Sequence, residues 1–458
     1  MRRTLSGAAA LALALAAGGA TASEALLAES CGGCHAAVEG GLSRIAGQRK
    51  TPEGWLMTIV RMRIAHGLEI TQADQAALVA WLADNQGLAP SEAAPWRYAL
   101  EKDPNAVEAV DEPLGSMCAR CHTIARVELQ RRTPEEWMAH MHFHVGQFPT
   151  VEYQALGRDR DWFQIATEEI APLLAEKLPL ETAEWTAWKA APKPDVTGEW
   201  VVLTDIPGKG AAYGKLAVTG SASPYEIAGK LTTASGEMLP VAGRMNLYTG
   251  YEWRAALSIG DARVRQVIAV DEGGMTFSGR QFMADRDSLG GAIHGAKAGS
   301  GLTAVLGVVP EAVGPGAAKV QVVGTGFEGL EVTGGAAEVA ANELGAAVSA
   351  TGAAGDVIWL EAGDEGAQLA FYDKLDRVTV EPDFTVARVG GGSEVSPAAV
   401  PAAFKAIGWL NGADGQPATD DDIRVGEVPA TWTVGNSDEI AEEMKDDEFA
   451  GKIGGDGI

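Results

Sequence analysis

Cysteine is almost missing from these 458 residues: there are four, at positions 31, 34, 118 and 121. Grouped as two close pairs, they leave none to staple distant segments, so apolar cores rather than a disulfide framework must hold the fold. Histidine is nearly as scarce, at seven. Basic charge is short as well: 36 lysines and arginines face 62 aspartates and glutamates, a formal net charge of −26. That balance argues against nucleic acid or an anionic membrane as partner, since both demand a basic face. Beyond the first residues, no apolar run approaches the ~20 needed to cross a bilayer, so no membrane span is expected.

The beginning of the chain reads as an export signal. Arg2 and Arg3 form a basic start, Leu5 to Ala17 an apolar stretch too short to span, and Ala20-Thr21-Ala22 a small-residue cleavage site. Residues 1–22 are therefore assigned to a signal peptide, and the mature chain to a bacterial periplasm.

All four cysteines fall in two strings, Cys31-Gly-Gly-Cys-His35 and Cys118-Ala-Arg-Cys-His122. Two thiols three positions apart reach the two vinyl groups of one porphyrin, and the next histidine falls beneath the iron as its fixed axial ligand. Each string is thus an attachment site for a c-type haem. A four-cysteine zinc site or a thioredoxin-like redox pair requires no histidine after both second cysteines. The expectation is two haem c groups, tethered at Cys31, Cys34, Cys118 and Cys121, with His35 and His122 on the irons.

From Glu24 to about Lys189 apolar positions recur every three to four residues among good helix formers, which predicts an all-α di-haem region over 23–194. Ala191-Pro192-Lys193-Pro194 closes it. Within it Arg49-Lys50-Thr51-Pro52-Glu53-Gly54-Trp55 repeats as Arg131-Arg132-Thr133-Pro134-Glu135-Glu136-Trp137, each copy following its own haem string. Threonine as cap, proline in the first turn and glutamate at the positive helix end suit a helix start. Two cytochrome-like units, about 24–105 and 106–194, are therefore fused in tandem. After Asp195 glycine, valine and threonine rise, and alternation of period two appears at Tyr251, Trp253, Ala255, Leu257 and Ile259, at Lys319 to Val322 and at Val378 to Val380. All-β domains, barrels or sandwiches, are expected over 195–300, 301–381 and 382–458.

The repeat also selects distal ligands. Trp55, Ile59 and Met62 share one helical stripe, and Trp137, Met141 and His144 match them position by position. Superposing the tryptophans sets Met62 against His144, giving His35/Met62 for the first iron and His122/His144 for the second. His66, one turn beyond Met62, is the rival for the first haem; His140 and Met141 are alternatives for the second. An iron without a sixth ligand would bind peroxide. The acidic run Asp414 to Asp422 resembles a calcium loop but lacks its closing glutamate, so it reads as a solvated turn.

Beyond the haem strings, Phe143-His144-Val145-Gly146-Gln147-Phe148-Pro149-Thr150 with Glu152-Tyr153-Gln154-Ala155-Leu156, and Val425-Gly426-Glu427-Val428-Pro429-Ala430-Thr431-Trp432, resemble the haem-bearing alpha subunit of quinohaemoprotein amine dehydrogenase. The resemblance covers nearly the whole mature chain. It implies a barrel-like domain at 195–300, and two immunoglobulin-like sandwiches at 301–381 and 382–458, the last short of its final strand because the chain stops at Ile458. It further implies a heterotrimer with a propeller-forming subunit and a small subunit bearing cysteine tryptophylquinone. That small subunit oxidises a primary amine, and this chain passes the electrons through its haems to an external acceptor such as a small cytochrome or cupredoxin. On that reading the chain holds no catalytic residue of amine oxidation. The alternatives are a free-standing di-haem carrier with β docking domains, and a di-haem peroxidase.

Overall fold

The structure is a computed structural model that describes residues 24–152, 160–390 and 399–458. The export segment, Arg158, and Tyr153 to Leu156 of the resembling string lie outside the described residues.

The haem-carrying region holds α1 (Glu24–Cys31), α2 (Pro52–His66), α3 (Gln72–Gln86), α4 (Pro90–Ala93), α5 (Arg97–Leu100), α6 (Ala125–Glu128), α7 (Pro134–Gln147), α8 (Trp162–Ile165), α9 (Ala171–Lys177) and α10 (Ala183–Ala190). It is not the all-α domain that its periodicity predicts. Four short strands, β1 (Ala37–Val38), β2 (Gly41–Leu42), β3 (Gln48–Lys50) and β4 (Gln130–Arg132), form two antiparallel pairs. The β1–β2 hairpin turns through Gly40 and Gly41, at φ 81° and 140°, conformations that favour glycine. The β3–β4 pair has a different cause. Each strand leads into a Thr-Pro helix start, where the residue before proline is driven out of the helical region. The two extended leaders then satisfy one another's backbone groups, Arg49 lying opposite Arg131.

The helix starts are built as the repeat requires. The Thr51 hydroxyl accepts from the Gly54 N–H and the Thr133 hydroxyl from the Glu136 N–H, both at 3.2 Å. Gly67, at φ 70°, terminates α2 by donating its N–H to the Met62 carbonyl. Trp55 and Trp137 are each 1% exposed, and each indole N–H donates to a carbonyl at the end of a neighbouring helix, Gln86 and Leu178 respectively. Between the units Glu92 holds Arg49 at 2.9 Å and Arg131 at 3.1 Å, all three buried.

Strands β5 (Gly198–Ile206), β6 (Gly210–Thr219), β7 (Tyr225–Thr233), β8 (Met238–Tyr248), β9 (Glu252–Ile259), β10 (Ala262–Val270), β11 (Thr276–Met283) and β12 (Arg286–Lys297) form an antiparallel meander, and β12 returns to pair with β5 and close a barrel. Trp200, Leu216, Ile227, Met245, Trp253 and Ile268 fill its interior. The barrel grips the haem region. Trp188 meets Tyr251 edge to face at 5.5 Å, the Tyr251 hydroxyl donates to the Leu88 carbonyl, and Arg254 pairs with Glu53 at the start of α2 at 2.6 Å.

Next come β13 (Ala304–Val309), β14 (Ala312–Val313), β15 (Gly316–Thr325), β16 (Glu331–Thr333), β17 (Ala336–Asn342), β18 (Gly345–Gly352), β19 (Val357–Ala362) and β20 (Glu365–Phe371). They make two four-stranded sheets, ordered β13-β15-β18-β17 and β14-β20-β19-β16, that share the core of Val320, Val322, Val348, Leu360, Leu369 and Phe371. The expected second sandwich is not formed among the described residues. β21 (Arg377–Glu381), β22 (Lys405–Leu410) and β23 (Ile423–Glu427) form a single three-stranded sheet, followed by the short helices α11 (Glu439–Met444) and α12 (Asp446–Phe449). In β21 the alternation is present but faces outward, with Val378 53% and Val380 46% exposed.

Candidate haem-binding site

The second haem string opens onto a cavity of about 380 Å³, lined by Cys118, Cys121, His122 and His144 together. That volume lies within the range of small-molecule sites. Its walls are largely apolar: Met117, Trp137, Met141, Trp162, Ile170 and Leu174. α7 supplies the stripe. Trp137 and Met141 pack inward, and His144, one turn on, presents its ring 5.5 Å from that of Trp162. His140 and Met141, the alternatives for the second haem, line the same cavity. His142 packs instead against Phe163, ring centroids 5.1 Å apart.

One feature is shared by the three histidines expected on iron. His35 Nδ1 lies 2.8 Å from the Ser43 carbonyl, His122 Nδ1 2.9 Å from that of Thr123, and His144 Nδ1 2.8 Å from that of His140. A carbonyl only accepts, so Nδ1 carries the proton in each case and Nε2 keeps its lone pair for a metal. Burial acts in the same sense at His122 and His144, lowering both so that the rings stay neutral. Burial followed by the charges of Arg132 and His144 drives His140 well down. His66 makes no such bond among the described residues and lies exposed at the end of α2.

The turn that aims His122 is itself fixed. Glu108 accepts from the Thr123 hydroxyl, from the Ile124 and Ala125 N–H groups at 2.8 and 3.2 Å, and from the Tyr98 hydroxyl at 2.7 Å. Burial works to raise the Glu108 carboxyl, and these bonds overcome it and hold it low. Nothing in the sequence marks Glu108, because its partners come from turns whose closure is not a local property.

At the first string, Cys31 ends α1 beside the cluster of Leu27, Leu42, Trp55, Ile59 and Leu78. Met62 lies on α2 one turn beyond Ile59 and is half-buried. The structure therefore gathers the second set of expected ligands around one cavity, whereas for the first it shows α1 and α2 sharing a core. As free thiols Cys31 and Cys118 are both raised, Cys118 to about 11, by burial and then by the partner cysteine. Activated redox cysteines are shifted the other way.

The sequence reading also missed the basic lining. Lys50, Arg61, Arg126 and Arg132 face the cavity, two from each unit. For Lys50 and Arg132 the signal was present in the basic pair that precedes the Thr-Pro start in each repeat; Arg61 and Arg126 carry none. Among the described residues no group of three or more His, Cys, Asp or Glu side chains is placed to hold a metal ion. In the Asp414–Asp422 turn, Asp421 accepts from the Ala413 and Asp414 N–H groups, and Asp422 from the Ala418 N–H.

Three family models match the chain: quinohemoprotein amine dehydrogenase A, alpha subunit, haem binding over residues 21–185; the alpha subunit's domain II over 193–298; and its domain IV over 378–458. The chain belongs to the quinohemoprotein amine dehydrogenase alpha-subunit family. It is thus related to a haem-bearing subunit of an oxidoreductase complex, and the family's haem-binding segment contains both cysteine strings and the cavity. No curated protein matches the chain. Among solved structures, a redesigned β-barrel bound to DFHBI matches at 18% identity and TM-score 0.19, covering 22% of this chain and 91% of that one. A de novo fluorescence-activating β-barrel matches at 20% identity and TM-score 0.18, covering 22% and 88%. No helix among the described residues is long and apolar enough to cross a membrane.

The residues present fit the group that the family carries. The second cavity joins both cysteines, an imidazole on each of two segments with Nε2 free, and an apolar lining for a macrocycle.

Proposed function

We propose that this chain is the electron-transfer subunit of a periplasmic quinohemoprotein amine dehydrogenase. It carries two c-type haems, on Cys31 and Cys34 and on Cys118 and Cys121, and relays electrons from a tryptophylquinone on a small partner subunit to an external acceptor. His35 and Met62 serve the first iron, His122 and His144 the second. The observation that supports this best is the shared orientation of His35, His122 and His144, each with its Nδ1 proton committed to a backbone carbonyl. Bound haem supplies one-electron chemistry. The chain tethers it, ligates it, fixes the ligand rings and excludes water through Trp137, Met141, Trp162 and Leu174. Amine oxidation is assigned to the partner, so this chain needs no acid or base for it.

The test is native purification. A complex that contains a propeller-forming subunit and a small quinone-staining subunit, with two haems by mass on this chain, supports the reading. A functional single chain without a quinone-bearing partner favours a free-standing carrier and overturns it. An open iron that reacts with peroxide favours a peroxidase, also against it.

A further inference from the structure

The chain carries a formal charge of −26, yet the cavity at Cys118 is lined by four cations and no carboxylate. Lys50 is 6% exposed and Arg132 3%. Lys50 donates to the Thr58 hydroxyl at 2.9 Å and lies 4.9 Å over the Trp55 ring, but forms no ion pair among the described residues. Arg61 stacks on Phe143 at 4.5 Å and likewise has no carboxylate partner. Arg132 is bonded to Gln130, with Glu136 no nearer than 3.9 Å. Glu136 is already held by Arg44 at 3.0 Å and by Gln48 at 2.9 Å. Two buried cations and a half-buried third, offset only by the long Arg132–Glu136 contact, are costly to hold together. Burial lowers Lys50 and Arg132, and the charge of Arg61 depresses both further.

An apolar cavity rimmed by cations, of which Lys50 and Arg61 have no carboxylate partner among the described residues, fits an apolar ligand that brings its own negative charge. Haem is such a ligand, a macrocycle bearing two carboxylates. We propose that Lys50 and Arg61 of the first unit, together with Arg132 of the second, bind the propionate carboxylates of the haem tethered at Cys118 and Cys121. The first unit thereby sets the electrostatics of the second unit's iron. This rests on the haem assignment above and names residues outside the second unit that the assignment does not require. Arg160 donates to the Ser116 carbonyl at 2.5 Å and is not among the residues lining the cavity.

The test uses the full chain matured with haem, in the variants Lys50→Met, Lys50→Arg and Arg61→Leu. Each haem is followed separately in a redox titration, and the propionate carboxylates by infrared difference spectroscopy. Removing one positive charge near the propionates should lower the reduced-to-oxidised ratio of the second haem about tenfold at a fixed ambient potential, ~59 mV for one electron. Propionate bands should shift, the first haem should keep its potential, and Lys50→Arg should restore the second. A two-haem protein whose second potential and propionate bands are unmoved in Lys50→Met and Arg61→Leu overturns this proposal alone. Parent protein that lacks haem at Cys118 and Cys121 overturns the site assignment with it. If Lys50→Met does not mature, Arg61→Leu, half-buried and outside the unit that carries the tether, decides by the same criterion.

Discussion

At the scale of single residues, the two Cys-x-x-Cys-His strings stand out in the sequence because the thiol spacing and adjacent imidazole that tether a haem are sequence-local requirements. Distal ligation was harder. His144 is anchored by its own helix, whereas Met62 has no equivalent hydrogen bond among the described residues. His144→Ala should leave the second iron five-coordinate, visible as a high-spin spectrum with the first haem unchanged. Met62→Ala should alter the spectrum and lower the potential of the first haem only, since methionine ligation favours a higher potential than its loss leaves. An unchanged first haem would transfer that assignment to His66. Lys50 illustrates what a sequence hides. Ahead of a helix cap it reads as solvated charge, and only the second unit folding over it makes it buried.

Elements were legible where their signals are local. Threonine, proline and glutamate announce both α2 and α7, and Thr133→Ala should cost about 1 kcal/mol in a urea titration, as lost caps do. The strands β3 and β4 were not legible, since three residues are too few to show a period and each partner belongs to the other repeat. The periodic signal around them is helical, so the region was read as all-α. Glu92 is likewise silent in the sequence, yet it is the shared anion of two buried arginines. Glu92→Ala leaves both uncompensated, and a loss of about 3–5 kcal/mol in unfolding free energy is expected. The β21 valines teach the converse: alternation identified a strand but not which way its apolar side would face.

On the scale of the whole molecule, the join between haem region and barrel should respond to pH. Arg254 lies between two carboxylates, Glu53 at 2.6 Å and Glu252 at 3.1 Å. Glu53 is the more exposed and keeps its charge, while burial pushes Glu252 from the ordinary 4.5 up to about 7. An acid raised in the folded state contributes stability that is full below pH 4.5 and is lost as pH rises through about 7. The urea midpoint of the parent should therefore fall relative to that of Glu252→Gln across this window, and parallel curves would refute the assignment. The interior of the barrel was readable from its alternating apolar residues. Its docking onto α2 was not, because Thr249, Tyr251 and Arg254 look like ordinary strand-end residues until α2 and α3 are packed against them.

The crossed leaders β3 and β4 make the two repeat units inseparable as well as adjacent. Cutting the chain between them would bare two strand edges, strand Glu92 with half its guanidinium partners, and strip Lys50, Gly54, Thr58 and Arg61 from the wall of the second cavity. Neither half should survive as a miniature cytochrome, so any attempt to divide this region into modules, whether by recombination or by design, must move both copies as one inheritable piece.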